Sequence, residues 1–81
     1  MDTFVNLTHK EPYTLEALAN YIENTGEMGI YGEYFYMSRN VWNKYREKYS
    51  MNEILSFMRK YNIRRIYVYS NYGVKKIGIW L

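Results

Sequence analysis

The 81-residue sequence holds one histidine, His9, one aspartate, Asp2, and no cysteine. A nucleophile with a base and an orienting group would have to be assembled from a serine, His9 and a glutamate, and no local signature for such a set is present. Metal sites built from histidine and cysteine are excluded by the same count. Glu11, Glu16, Glu23, Glu27 and Glu33 are too dispersed to read as a carboxylate cluster. Gly26, Gly29 and Gly32 lead toward a strand instead of following one into a helix, so they do not read as a phosphate-cradling loop. No catalytic residue, metal or cofactor is expected.

What remains for chemistry is recognition by cations and rings. Aromatic residues make up 20% of the chain, eleven of them tyrosine, and the net charge is +3. That average hides an asymmetry: residues 1–37 carry one Lys or Arg against six Asp or Glu, a balance of −5, and residues 38–81 carry ten against two, a balance of +8. Halves of opposite sign give a folded domain a basic side if they segregate in space, and a basic side attracts phosphate backbones. The cations of that half are Arg39, Lys44, Arg46 and Lys48, then Arg59, Lys60, Arg64 and Arg65, then Lys75 and Lys76. Six phosphate contacts among them predict an affinity loss of about three orders of magnitude from low to physiological salt.

The closing stretch RRIYVYSNYGVKKIGIWL reads as a hairpin with two unlike faces. Ile66, Val68, Ile77, Ile79 and Leu81 make a core face, and Arg65, Tyr67, Tyr69, Lys76 and Trp80 make the other. Bases stack on such rings while cations hold phosphates. The same residue types dominate protein-binding hot spots, so a protein partner fits this face too.

The elements that must position these residues follow from local signals in a single domain, residues 1–81. TFVNLT alternates as a first strand, EPYT turns the chain, and Thr14 caps a helix from Leu15 to Thr25 that Gly26 closes. Residues 29–38 read as a second strand region bent at Gly29 and Gly32. Ser38 caps a helix carrying Trp42, Tyr45 and Tyr49 inward and mostly basic residues outward. Ser50 and Glu53 form a capping box for a third helix with an apolar stripe of Met51, Ile54, Leu55, Met58 and Tyr61, closed by Asn62 in the left-handed conformation. A loop at Ser70 to Gly73 sets Ile66 opposite Ile77, and the last strand is expected to pair on its second edge with Thr3 to Thr8 or with another subunit. The expected fold is α+β, with three helices and a small antiparallel sheet ending in a C-terminal hairpin.

The order of helices and hairpin resembles the winged helix-turn-helix arrangement, with residues 38–62 as the helical pair and 64–81 as the wing. The resemblance is architectural and covers most of the chain. The reading helix it implies carries Asn52, Glu53 and Ser56 early and its cations only at Arg59 and Lys60, so the basic residues suit phosphate contact better than base reading. The expected function is therefore nonenzymatic nucleic-acid binding, to double or single strands, by a small regulator of the kind that viruses and mobile elements carry. The competing expectation is an inhibitor or adaptor that binds another protein through its tyrosine-rich strands. No apolar run approaches the ~18 residues of a membrane span and no secretion signal opens the chain, so an intracellular protein is expected, with self-association as one way to support so small a core.

Overall fold

Each helix begins at the side chain that the sequence offers as its cap. In the computed structural model, which describes residues 3–25 and 33–78, Thr14 Oγ1 accepts the Ala17 N–H at 3.2 Å as helix α1 (Leu15–Thr25) starts. Ser38 Oγ accepts the Val41 N–H at 3.4 Å to start α2 (Arg39–Lys48). At the head of α3 (Met51–Lys60), Ser50 accepts the Glu53 N–H at 3.2 Å and Glu53 accepts the Ser50 N–H at 3.1 Å, so the capping box satisfies two otherwise orphaned donors. Asn62, with φ of 56°, ends that helix in the left-handed conformation that its short amide side chain tolerates. Gly26, Gly29, Gly32, Ile79, Trp80 and Leu81 lie outside the described residues, and with them the expected helix stop, the strand bends and the end of the last strand.

The α+β class holds, but the sheet is mixed and not antiparallel. Its four strands stand in chain order, β1 (Thr3–Asn6), β2 (Glu33–Ser38), β3 (Ile63–Ser70) and β4 (Gly73–Gly78). The first two pairings are parallel and only β3 with β4 is antiparallel. Parallel neighbours require a crossover, which α1 supplies between β1 and β2 and the α2–α3 pair supplies between β2 and β3. This corrects the winged reading: the hairpin strand β3 lies inside the sheet with β2 on its far side, so it is no projecting wing. It also corrects the first of the two partners expected for the last strand, Thr3 to Thr8, because residues 3–6 pair with β2 at the opposite edge. Among the described residues the outer edge of β4 pairs with no strand.

Register fixes two unlike faces. Val5, Phe35, Ile66 and Ile77 form one row across all four strands, and all are buried. They pack with Leu18 and Ile22 of α1, Val41, Trp42 and Tyr45 of α2, and Ile54 and Met58 of α3 in one core, so the three helices cover the same side of the sheet. Two tyrosines secure the entry into α1, Tyr13 within the preceding loop and Tyr49 from the end of α2. The Tyr13 hydroxyl donates to the Thr8 carbonyl at 2.7 Å, and the Leu15 N–H donates to Tyr49 Oη at 3.1 Å. No helix of the described residues is long and apolar enough to cross a membrane.

Candidate nucleic-acid interface

The row next to the core row runs Asn6, Tyr36, Tyr67, Lys76, and because side chains alternate along strands it points away from the helices. The rows flanking it on the same face bring Tyr34 beside Arg65 and Tyr69 between Ser38 and Val74. Four tyrosines from β2 and β3 therefore meet on one surface. Tyr36 and Tyr69 stack with centroids 4.6 Å apart and planes 23° apart, and Tyr34 leans on Tyr67 at 5.8 Å and 48°. All four are half-buried, and no described helix or strand packs over them.

Local chemistry holds this face in shape. Thr8 Oγ1 accepts the Ser38 N–H at 3.2 Å and shares a 2.7 Å hydrogen bond with Tyr69 Oη, which fixes the outermost ring against the ends of β1 and β2. The Arg65 side chain lies across Gly78, where an added Cβ would meet its Cγ at 3.4 Å. Parallel strands are usually covered on both faces and read as continuous apolar runs. Here β2 and β3 alternate instead, Phe35 and Met37 inward against Tyr34 and Tyr36 outward. Aromatic bodies with polar tips suit a surface that is both wet and able to bind.

The sequence candidates divide among several surfaces. Tyr67, Tyr69, Arg65 and Lys76 share the tyrosine face. Arg39 and Lys75 come together elsewhere, around a cleft between α2 and the β3–β4 hairpin that Trp42, Asn43, Val68 and Ser70 also line. On α2 the helical spacing puts Arg46 on the same side as Arg39, and Lys44 and Lys48 on the other flank, where Lys44 Nζ sits 5.0 Å from the Tyr13 ring centre. Arg59, Lys60 and Arg64 lie at the opposite end of the sheet, where β3 begins, with Lys60 Nζ 5.4 Å from the Tyr61 ring centre. Trp80 lies outside the described residues. The ten late cations thus do not share one surface. Tyr34 and Tyr36 were not among the sequence candidates, although their alternation with Phe35 and Met37 was the signal.

Among the described residues the phenols of Tyr13, Tyr45 and Tyr61 have raised pKa values. Tyr45, on the helix side, is pushed up first by burial and then by its neighbours Tyr13 and Tyr49. Tyr61 rises mainly through its 2.9 Å hydrogen bond to Glu23, and Tyr13 through desolvation and then the charge of Glu11. None of them belongs to the tyrosine face. Among the described residues no group of three or more His, Cys, Asp or Glu is placed to hold a metal ion.

Comparison with protein-family models, curated proteins and solved structures finds no match. The case for function rests on the surface itself, which offers two pairs of rings, flanking cations and polar rims, and can stack planar groups while neutralising anions.

Proposed function

We propose that this is a nonenzymatic nucleic-acid-binding protein that uses the tyrosine face of its sheet, with single strands preferred over duplex. The observation that carries the reading is the convergence of Tyr34, Tyr36, Tyr67 and Tyr69 with Arg65 and Lys76 on a face that no described element covers. An unpaired base offers a π-face to each ring pair, whereas a duplex keeps its bases stacked inside. A flat sheet also fits a duplex groove less well than a projecting helix does, and here the helices α2 and α3 are packed as the crossover onto the sheet.

Fluorescence anisotropy with labelled single-stranded and duplex oligonucleotides across a salt series tests this. Tyr36→Ala and Tyr67→Ala are each expected to weaken single-strand binding by about 1–3 kcal/mol, roughly 5- to 150-fold. Absence of affinity at low salt, or single-strand affinity indifferent to both substitutions, rejects the reading. A protein partner is the second reading, favoured by Tyr72 and Val74 at the hairpin tip, which are 94% and 53% exposed. In that case Tyr72→Ala should impair capture of a nuclease-resistant partner.

A further inference from the structure

The cleft between α2 and the hairpin is not required by stacking on the tyrosine face, yet it adjoins that face. A second cleft, bordered by Ser38, Asn40, Tyr69, Asn71 and Tyr72, lies at the end of the sheet where β2 and β3 finish. Arg39 and Ser70 line both clefts, and Tyr69 belongs at once to the second cleft and to the ring ladder. The rings, the end cleft and the basic cleft therefore form a continuous path around the end of the sheet. No carboxylate is among the described residues that line either cleft.

We propose that the basic cleft is a phosphate-binding subsite, in which one phosphate group is held between Arg39 of α2 and Lys75 of β4. The inference rests on the single-strand reading of the tyrosine face and adds a place where the backbone is anchored once the bases have stacked. Two cations from elements remote in sequence meet there beside Trp42, with the Asn43 amide as a neutral donor. Arginine offers a planar fork matched to two phosphate oxygens, and lysine a point charge for a third. Lys44 and Lys60 are placed differently, over tyrosine rings on the helix side. The ligand chemistry is a phosphate, from either an internal phosphodiester or a terminal monoester.

The test titrates the full chain with inorganic pyrophosphate, followed by amide chemical shifts. Saturable shifts are expected at Arg39, Asn43, Ser70 and Lys75, with affinity falling at least tenfold in R39Q/K75Q and holding within twofold in K44Q/K60Q. Equal losses in the two double variants, or no saturable shift around the cleft, overturn the subsite even if an oligonucleotide binds the tyrosine face. A pyrophosphate site that survives while no oligonucleotide binds leaves the subsite standing and removes the single-strand function instead. If short oligonucleotides with a terminal phosphate bind more tightly than those without, and R39Q/K75Q abolishes the difference, the phosphate is terminal. If both bind alike and R39Q/K75Q lowers the salt slope by about 0.7 for each, it is internal.

Discussion

Among the described residues the Tyr45 hydroxyl has no hydrogen-bond partner, although the residue is only 2% exposed. Replacing Tyr45 by Phe removes that orphaned O–H and keeps the ring that fills the core between Tyr13 and α2. A buried, unsatisfied hydroxyl carries a desolvation penalty of about 1–3 kcal/mol. The void left by one oxygen, on the order of 10–15 Å³, costs at most about 0.4 kcal/mol. The variant should therefore gain roughly 1 kcal/mol or more, which raises Tm by about 4–8 °C per kcal/mol for a domain of this size. A second readout follows from titration. Folding raises this phenol above its ordinary pKa of 10.0, so the native state holds the proton more tightly than the unfolded chain does. Stability linked to Tyr45 is complete below pH 10 and is lost as pH climbs past it, with a slope of up to about 1.4 kcal/mol per pH unit. Urea unfolding of both proteins at pH 7 and across pH 9–11 measures both effects, and the difference isolates Tyr45 from Tyr13 and Tyr61. A variant less stable than the parent at pH 7 would refute the argument by showing that the hydroxyl is paired in solution, and an alkaline limb of unchanged steepness would refute it by showing that the phenol titrates as it does in the unfolded chain.

Further predictions concern the cap, the turn and the two binding surfaces. Ser50→Ala removes the acceptor for the Glu53 N–H and should lower stability by about 1 kcal/mol in chemical denaturation. Gly73→Ala forces a side chain into φ of +118°, so despite open space around it the change should lower Tm through strain of about 1–3 kcal/mol. The ring substitutions on the sheet should act on single-strand affinity, and the paired Arg39 and Lys75 substitutions on pyrophosphate affinity and salt slope, each by the measurements given above.

Helix starts and the stop of α3 were legible because their causes lie within four residues of one another: Thr14 with Ala17, Ser38 with Val41, Ser50 with Glu53, and Asn62 at the end of α3. Hairpin register was legible for a similar reason, since the turn places Ile66 opposite Ile77 and a slip would turn apolar side chains outward. In the structure the strands continue to a Ser70–Gly73 pair, leaving Asn71 and Tyr72 as the connection. Strand order was not legible. The alternation of β2 is compatible with either direction and either neighbour, and the choice is made by the crossovers and by burial of Phe35 and Met37 between β1 and β3. Half of the candidate site was hidden with it: Tyr67 and Tyr69 could be placed on one face of a hairpin, but Tyr34 and Tyr36 joined them only once β2 lay alongside. The charge split was visible by counting, whereas its division among surfaces depends on how α2 turns Arg39 and Arg46 one way and Lys44 and Lys48 the other.

Among the described residues no strand pairs with the outer edge of β4, which bears on how the molecule meets its own copies. Exposed backbone amides and carbonyls invite another strand, and a sheet that ends this way would ordinarily be prone to stacking into ribbons. Lys75 and Lys76 occupy the middle of that edge, one toward each face. Antiparallel docking of two such edges about a two-fold axis near their midpoint would set Lys75 against its own copy on one face or Lys76 against its own copy on the other, and directly opposed like charges oppose pairing. The dilysine thus acts as a guard against sheet extension that weakens as salt rises.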